Sequence, residues 1–408
     1  MDFRWNIRIL MVSVHYPNKY HLWTPWNKYA NLAISRLNDV EIEIIAPLPF
    51  SPSIKYLPYY EFSKIPLIEY SEEGTVHHPR FLYLLPKKIF YGFIGEFYRQ
   101  SVSKYILNNI KKPDLIHAHQ IYPDGYGVMN LCSECNVPLI VELHSSGSLK
   151  TWFKNNKIRN RIMQVLEFSN KIICISQDLS QMLIEVGIDS EKIEIIPLGV
   201  DISKFKPNDK IIIKKYLKID ADKIILYVGR LDKLKGVNYL LKSIYKLKTE
   251  YGTSNIYKNL KLIIIGKGPE MINLQKLSKE LNIQEIVTFK GELIGKELEN
   301  WYSMADLFIL PSLTEGKPVV IYEAMSSECV VIATNVGGIP DQVKDNHTGF
   351  LLEPGDIDDL TNKIKYLLEN EDVMKKMGEE GRKLVIKEGW TWEGYAERIS
   401  NLYREIFN

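Results

Sequence analysis

The chain has 408 residues, which is enough for two domains of ordinary size. Its formal net charge of +2 gives no reason to expect nucleic acid as a partner, and 45% hydrophobic with 25% charged residues is ordinary for a globular protein. No segment reaches the roughly eighteen consecutive apolar residues that a membrane span needs. The apolar run near the N-terminus lacks a small-residue cleavage site and fits a first strand better. We therefore expect a cytoplasmic protein.

The four cysteines are too few for a disulfide framework in a chain of this length. Cys132 and Cys135 have C-x-x-C spacing, but no second pair completes a zinc site and the pair does not follow a strand, as a redox motif would. We predict that both lie on a helix.

Strand-like and helix-like segments alternate through the first half of the chain. The predicted strands are 8–14, 40–46, 115–118, 138–143, 171–175 and 192–196, and the predicted helices include 24–37 and 178–186. Residues 47–80 are rich in proline and aromatic residues without a clear period, so we expect loops and short elements there. The alternation predicts a parallel sheet with helices on both faces.

The alternation of strand-like and helix-like apolar segments stops over residues 201–210, where we place a linker, and resumes after them. The predicted strands of the second half are 223–228, 261–265, 286–289, 306–310 and 330–334, with helices over 237–247, 269–282, 298–305 and 319–325. The period therefore predicts an α/β protein of two doubly wound domains, 1–203 and 204–391. A ligand would bind in the cleft where the carboxyl ends of both sheets meet.

The stretch from Pro311 to Met325 combines a buried strand, a glycine-containing turn and a helix that begins near Pro318. Such a helix N-terminus is a natural anion site. Two carboxylates, Glu315 in the turn and Glu323 in the helix, are separated by seven residues. Because a carboxylate can accept two hydrogen bonds from a diol, the pair indicates a ligand that offers hydroxyls as well as phosphate.

This stretch resembles the E-x7-E signature of retaining GT-B glycosyltransferases, most closely glycosyltransferase family 4. The resemblance implies that Glu315 lies by the transferred sugar and that Glu323 binds the ribose of the nucleotide. It also places Gly316, Lys317 and Val319 in the donor-binding segment. The alternative is that Glu315 is a loop charge and Glu323 an exposed helix residue.

Two cations, Arg230 and Lys235, follow a predicted strand that ends before Gly229. Fixed cations at a strand terminus suit a diphosphate, which arginine can bind bidentately. The segment resembles the family's GRL…KG motif, which implies that these two side chains neutralise the leaving nucleoside diphosphate. The alternative is a solvated basic loop.

Gly266 and Gly268 follow a strand, but Met271 occupies the position of the third glycine of a dinucleotide fingerprint, so a nicotinamide-type site is not expected. The segment resembles the family's G-x-GP turn instead. The following VTFKGEL resembles the family's base-binding edge, where backbone groups near Lys290 and Gly291 would meet the nucleobase. Backbone contacts leave the base unnamed.

Gly337 and Gly338 would let the backbone approach a phosphate or sugar closely, and they match the family's GG-x-P segment. Asp356 and Asp358 have D-x-D spacing, but acids at the start of a helix, favoured by its dipole, explain them better than a metal does. The resemblance implies no bound metal and no other cofactor.

The first half offers His144, at the carboxyl end of a predicted strand, where family members often place a histidine near the transferred sugar. His117 and His119 flank Ala118 on another strand, so we expect at most one of them to face the cleft. The family usually has a Gly-Gly loop after the first strand, whereas residues 15–30 contain no glycine. We expect this loop to differ in shape or in role.

Residues 87–112 mix basic and aromatic side chains, with Phe93, Ile94 and Phe97 at helical spacing near Arg99 and Lys104. This segment is either an interfacial helix on an anionic membrane or an amphipathic helix on the protein's own core.

The resemblance covers residues 114–392 well and implies an acceptor domain, a donor domain and a last helix, 392–408, that packs back on the first domain. The implied reaction moves a sugar from a nucleotide-diphosphate sugar to a hydroxyl of a glycan or glycolipid, with retained anomeric configuration, in cell-surface polysaccharide synthesis. Two alternatives stay open: a nucleotide-sugar epimerase on the same fold, and a non-catalytic nucleotide-sugar-binding subunit of a polysaccharide assembly complex.

Overall fold

The structure is a computed structural model that describes residues 7–20, 25–37, 39–56, 59–83, 87–252, 257 and 259–408, with the backbone alone for 87–92. The chain forms two compact units, one of Met1–Leu198 with Trp392–Asn408 and the other of Gly199–Thr391. The sequence places the first boundary after residue 203, whereas the structure places it at Leu198. Val200 already belongs to the second unit because it pairs with Thr391 and its N–H donates to the Trp390 carbonyl (3.1 Å).

The described strands of the first unit follow the predicted alternation and add short strands between 47 and 81. They are β1 (Ile7–Val12), β2 (Val40–Ile45), β3 (Leu48–Pro49), β4 (Ile68–Ser71), β5 (Gly74–His77), β6 (Arg80–Phe81), β7 (Leu115–Ala118), β8 (Leu139–Leu143), β9 (Lys171–Cys174) and β10 (Ile193–Ile195). Eight of them form one sheet in the order β10-β9-β8-β7-β1-β2-β5-β4, parallel except for the edge strand β4. The order reverses between β7 and β1, so the loops after these two strands meet at a switch point.

Helices cover this sheet, and the two whose bounds are predicted, 24–37 and 178–186, begin and end within two residues of the prediction. The helices are α1 (Pro25–Ser35), α2 (Lys87–Asn109), α3 (Tyr126–Cys135), α4 (Ser146–Phe153), α5 (Asn156–Phe168) and α6 (Gln177–Glu185). The central strands β7 and β8 are completely buried, as strands with helices on both faces must be. Cys132 and Cys135 lie on α3 as free thiols, as predicted for two helical cysteines.

The helix α2 turns one apolar face to the protein and another to solvent. Ile94, Tyr98 and Val102 are buried, whereas Phe93 and Leu107 are each 58% exposed. Ile94 therefore belongs to the core-facing side of α2, as an amphipathic helix on the protein's own core requires, whereas Phe93 lies on the exposed side. Among the described residues, no helix is long and apolar enough to cross a lipid bilayer.

The glycine-free loop after β1 is fixed by side chains of the first unit where the structure describes it. The Val14 N–H donates to Asp124 (2.9 Å), the Asn27 amide donates to Ser13 (2.8 Å), and the Tyr16 hydroxyl donates to buried Glu73. Residues 21–24 of the predicted loop lie outside the described residues. The described part is thus a side-chain-anchored turn, whereas a Gly-Gly loop is shaped by its backbone.

The second unit restarts the strand–helix alternation and keeps it to its end. Its elements are α7 (Lys210–Leu217), β11 (Lys223–Val228), α8 (Val237–Tyr251), β12 (Leu260–Ile265), α9 (Met271–Glu280), β13 (Val287–Gly291), α10 (Gly295–Met304), β14 (Leu307–Leu310), α11 (Val319–Ser326), β15 (Val330–Thr334), α12 (Ile339–Gln342), β16 (Gly349–Leu352), α13 (Ile357–Glu369) and α14 (Glu371–Lys387). The strands form a parallel sheet in the order β13-β12-β11-β14-β15-β16. Its order reverses between β11 and β14, and ligands of such sheets bind outside the carboxyl ends at that reversal.

The last helix, α15 (Trp392–Phe407), belongs to the first unit and packs against α1. Its bounds match the predicted final helix. Trp392, Tyr395 and Tyr403 are buried there. The C-terminus therefore completes the core of the unit with which the chain begins.

Candidate functional site

The loops after β11 and β14 meet at the reversal of the second sheet. The first loop runs over residues 229–236 and the second over residues 311–318, which leads into α11. The Leu313 N–H donates to the Leu234 carbonyl (2.7 Å), which joins the two loops through their backbones. The predicted donor-binding segments are thus neighbours, although 80 residues separate Lys235 from Glu315.

Lys235 and Glu315 form the polar centre of these loops. Lys235 Nζ lies 2.6 Å from Glu315 Oε1, and the Ser312 hydroxyl donates to the same oxygen (2.7 Å). The Glu315 side chain is only 7% exposed and that of Lys235 is 25% exposed, so Glu315 is not a solvated loop charge. The turn therefore presents a fixed ammonium group beside a fixed carboxylate.

Arg230 is placed differently from Lys235. Its side chain is 71% exposed and its Nε lies 3.3 Å from Asp232 Oδ2. Its carbonyl accepts from the Tyr227 hydroxyl (3.0 Å), which fixes the backbone but leaves the guanidinium in solvent. Arg230 is thus an exposed cation, paired with Asp232, on the same loop as Lys235, and the ion pair of Lys235 with Glu315 is separate from it.

Glycines hold the neighbouring turns together by close backbone contacts. Gly266, after β12, has φ +143°, and a Cβ there would lie 1.9 Å from the Gly229 carbonyl oxygen. Its N–H donates to the Gly291 carbonyl (2.7 Å), and Gly268 lies against the Leu231 carbonyl. The ends of β11, β12 and β13 are therefore packed backbone to backbone, which leaves no room for a side chain at Gly266.

Lys290, in the predicted base-binding segment, lies on the edge strand β13. Its side chain is exposed and its ammonium group lies 5.2 Å from the centre of the Trp301 ring. The sheet pairs β13 on one side alone, with β12. Backbone groups on the other side of β13 are therefore placed at a sheet edge, where a nucleobase could pair with them.

Gly337 and Gly338 support the Glu315 turn. The Gly338 N–H donates to the Gly316 carbonyl (2.6 Å). Gly337 has φ +55°, and a Cβ there would lie 2.1 Å from the Glu315 carbonyl oxygen. These glycines therefore fix the backbone that carries Glu315.

We expect Gly337→Ala to lower the thermal midpoint of unfolding, because the added Cβ is both strained, by about 1–3 kcal/mol, and blocked by Glu315. Gly295→Ala is the matched control, since Gly295 has nearly the same φ (+61°) but no atom within 4 Å of an added Cβ. Differential scanning calorimetry of both variants measures the difference. Equal losses would mean that the contact with the Glu315 backbone does not matter.

Lys317 is buried in the same turn rather than free to meet a ligand. Its side chain is 6% exposed, its Nζ lies 3.5 Å from Asp341 Oδ2 and 5.8 Å from the centre of the Trp390 ring. Val319 begins α11, so its N–H is one of the first-turn donors that lack a partner within a helix. Lys317 therefore acts by holding the turn, and Val319 by presenting the helix N-terminus.

Glu323 lies on α11 and is half-buried rather than an exposed helix residue. Burial raises the pKa of Glu323, and the interaction of its carboxyl group with the Tyr302 hydroxyl offsets only part of this rise, so that the pKa is about 7. No ion pair to Glu323 occurs among the described residues. A ligand that donates hydrogen bonds would therefore favour its ionised form.

The two acids of the D-x-D segment have structural partners. Asp356 caps α13, where its Oδ1 accepts from the Asp359 N–H (2.9 Å), and Asp358 lies 2.6 Å from Lys246 Nζ. These contacts fit the interpretation as helix-start acids.

In the first unit, His144 follows β8 directly and precedes Ser145, which caps α4. Its side chain is 12% exposed, and its Nε2 lies 3.4 Å from Glu142 Oε2. Although burial favours the neutral form of Glu142, the histidines around it hold the pKa of its carboxyl group well below the usual range. His144 therefore stands beside a buried negative charge.

His117 and His119 lie on the same side of the sheet as Glu142. Residues two apart on a strand face the same way. Their rings are stacked with centroids 5.2 Å apart, and both are completely buried. Burial, and to a smaller extent the neighbouring His119, lowers the pKa of His117 to about 3.

Several residues that support the predicted site are not themselves apparent as site residues in the sequence. They are Ser312 at Glu315, Asp341 and Trp390 at Lys317, Tyr302 at Glu323, and Glu142 at His144. Strand alternation could have identified Glu142, because it lies two residues before His144. The others depend on contacts between distant elements.

Comparisons with known proteins agree with this architecture. Residues 66–204 match the model of Glycosyltransferase Family 4, and residues 208–384 match that of Glycosyl transferases group 1. An uncharacterized glycosyltransferase of Methanocaldococcus jannaschii is 28% identical over 98% of this chain and 99% of its own length. Among solved structures, sucrose-phosphate synthase from Thermosynechococcus elongatus has a TM-score of 0.78 at 22% identity, covering 98% of this chain and 99% of that one. Anabaena HepE in complex with UDP-glucose has a TM-score of 0.74 at 17% identity, covering 98% and 100%.

The two family models together cover most of the chain: one match lies within the second unit, and the other covers much of the first unit and ends a few residues inside the second. The solved structures that resemble it share its fold over nearly the whole length. The chain is thus a sugar-transferring enzyme of GT-B fold that carries a Glycosyltransferase Family 4 domain and a Glycosyl transferases group 1 domain.

Proposed function

We propose that the protein is a retaining glycosyltransferase that moves a sugar from a nucleotide-diphosphate sugar to a hydroxyl of a glycan or glycolipid. The setting that we propose is cell-surface polysaccharide synthesis at the cytoplasmic side of a membrane. Gly199–Thr391 would bind the donor and the first unit would bind the acceptor. The observation that carries the proposal is the Lys235–Glu315 pair at the reversal of the second sheet, with 2.6 Å between its charged atoms.

The donor roles follow from charge and burial. Lys235 presents a fixed cation and Arg230 an exposed one on the same loop, which suits the two phosphates of a leaving nucleoside diphosphate. Glu315, held in place by Lys235 and Ser312, would accept a hydrogen bond from a sugar hydroxyl, because a carboxylate has about four acceptor positions. Glu323 would accept from the ribose diol.

The proposed mechanism uses no protein nucleophile. The leaving diphosphate remains on the face where the acceptor attacks and removes the proton of the acceptor hydroxyl, so the anomeric configuration is retained. The protein then has to stabilise charge on the departing diphosphate, which Arg230, Lys235 and the N-terminus of α11 would do. His144 would contact the transferred sugar. In this proposal the positive charge comes from side chains and the helix terminus, without a metal ion or other cofactor.

Thermal shift against nucleoside diphosphates and nucleotide sugars tests the donor proposal. HepE is seen in complex with UDP-glucose, so we expect UDP and a UDP-sugar to raise the midpoint most. A ligand at a hundredfold excess over its Kd adds about 2.7 kcal/mol of stability. A selective shift with another base would change the donor class. If no nucleotide shifts the midpoint of the folded protein, the donor site itself is contradicted.

The two alternatives are separated from this proposal by product analysis. An epimerase would convert the nucleotide sugar without any acceptor. A non-catalytic subunit would bind the donor but release no nucleoside diphosphate with any acceptor. The Lys235–Glu315 pair favours transfer, because a cation fixed beside the sugar-side carboxylate is of use when the diphosphate departs.

Contact of the segment 87–112 with an anionic membrane remains part of the proposal. Phe93 and Leu107 are each 58% exposed on α2, and Lys104 is exposed as well. We expect Phe93→Ser with Leu107→Ser to lower sedimentation with anionic phospholipid vesicles, because apolar insertion is lost. Ile272→Ser is the control, since Ile272 is 77% exposed in the other unit. Equal binding by both variants would place the membrane contact elsewhere.

A further inference from the structure

A cluster of metal-type ligands lies in the first unit, and the proposed sugar transfer gives none of its three members a direct role. His117 on β7, His119 directly after β7, and Glu142 on β8 are each completely buried. One donor atom from each lies within 4.8 Å of the other two. Glu142 Oε2 is 2.9 Å from His119 Nδ1 and 3.8 Å from His117 Nε2. Three potential ligands therefore converge on one point inside the protein.

The outward atoms of these three side chains are all engaged by polar partners. His117 Nδ1 lies 2.8 Å from the Tyr403 hydroxyl, and His119 Nε2 lies 3.0 Å from Asn31 Oδ1. The second carboxylate oxygen of Glu142 accepts from the Tyr395 hydroxyl (3.2 Å). In metal sites, outer partners of this kind fix the rings so that the inner atoms face the ion.

The inner atoms, by contrast, are incompletely satisfied. His117 Nε2 is buried with no hydrogen-bond partner in the part of the chain that the structure describes. His119 has an acceptor oxygen on each side, Glu142 Oε2 and Asn31 Oδ1, and a neutral ring can donate to only one of them. An ion on His119 Nδ1 would leave Nε2–H to donate to Asn31, and it would compensate the buried carboxylate.

The distances also suit a small tetrahedral ion. Donor atoms about 2.0–2.1 Å from zinc in a tetrahedral site are separated by about 3.4 Å. The 2.9 and 3.8 Å separations around Glu142 Oε2 lie on either side of this value.

We propose that His117, His119 and Glu142 bind one divalent transition-metal ion of the zinc class. Imidazole with carboxylate selects zinc or cobalt over calcium and magnesium, which require oxygen ligands. The ion would hold β7 and β8 to α15, because Tyr395 and Tyr403 on that helix support the ligands. It would be a structural ion, separate from the donor loops of the second unit.

Metal analysis of the full chain tests this site without any assay of sugar transfer. The protein is produced without a histidine tag or chelator, and its metal content is measured by mass spectrometry. We expect one zinc ion per chain, and the visible spectrum of four-coordinate cobalt after unfolding and refolding with Co²⁺. The proposal is overturned if the folded wild-type protein contains no stoichiometric metal and takes up neither Zn²⁺ nor Co²⁺ on refolding. The cluster is then a hydrogen-bonded network without a metal ion.

Four variants, one of them a control, locate the ion. Glu142→Gln and His117→Gln are expected to lose it, whereas His78→Gln should keep it. His78 is the matched control, a buried histidine whose Nε2 lies 3.2 Å from Glu69 on another part of the sheet. Tyr403→Phe, which removes only the outer partner of His117, is expected to weaken Co²⁺ binding about 10- to 100-fold. Full metal content in folded Glu142→Gln would place the ion elsewhere. Failure of the donor proposal would leave all of these results unchanged.

Discussion

Lys235→Ala is expected to lower the kcat of sugar transfer by about 100- to 1,000-fold, the usual loss when one group that stabilises transition-state charge is removed. Lys235 Nζ lies 2.6 Å from Glu315 Oε1, so the substitution removes a cation and also leaves a carboxylate that is only 7% exposed without it. That carboxylate would then repel the departing diphosphate. Release of nucleoside diphosphate, measured with the donor that the thermal shift identifies, gives the rate.

Lys233→Ala is the control for this prediction, because Lys233 lies in the same short turn and is exposed. It should transfer sugar at nearly the wild-type rate. Arg230→Ala is also expected to abolish transfer while the fold is retained, since its guanidinium is 71% exposed and supports no core contact. Turnover like wild type in both Arg230→Ala and Lys235→Ala would contradict the donor-site assignment.

A double variant separates loss of charge from repulsion. Glu315→Gln removes the uncompensated carboxylate, so Lys235→Ala with Glu315→Gln should bind nucleoside diphosphate better than Lys235→Ala alone. Transfer should not recover, because no cation is restored. If the double variant binds no better, the two side chains are not coupled in the way that their 2.6 Å contact indicates.

The elements of the second unit were predictable because its strands are apolar on both faces. Lys223–Val228 and Val330–Thr334 have the predicted bounds, and each is a short run of buried side chains between turn formers. The position of Glu315 after β14 could be predicted for the same reason. Its partner could not, because Lys235 lies 80 residues away and only the sheet order brings the two together.

The surroundings of His144 show which contacts strand alternation predicts and which it does not. Glu142 and His144 share a strand face by alternation, so their contact was open to prediction. The contact of His117 with Tyr403 spans 286 residues and depends on α15 returning to the first unit. The boundary between the two units lies at Leu198 and not after residue 203 for a similar reason, because Val200 pairs with Thr391, which is distant in the sequence.

Glu323→Gln is expected to weaken nucleoside diphosphate binding about 10- to 100-fold, because hydrogen bonds to a charged group contribute about 1.5–3 kcal/mol. The loss should depend on pH. Burial raises the pKa of Glu323 to about 7, so the acid is mostly protonated at pH 6 and mostly ionised at pH 8. The ribose diol donates to the ionised form, and the wild-type affinity should therefore rise about tenfold between these pH values.

Two controls isolate this effect in isothermal titration calorimetry. Glu323→Gln reports the pH dependence of the phosphate groups alone, and a 2′,3′-dideoxy nucleotide should show no difference between wild type and variant.

The stability of the unliganded protein should change with pH in the opposite direction to the affinity. The folded-state pKa of Glu323 is higher than the ordinary value of 4.5, so stability is lost as pH rises from 4.5 through 7. Glu323→Gln should then unfold at a higher temperature than wild type at pH 8 while it binds nucleotide more weakly. If Glu323→Gln binds the ribonucleotide as tightly as the wild type does, Glu323 does not bind the ribose. The stability that the carboxylate costs at pH 8 would then be offset by no gain in ligand binding.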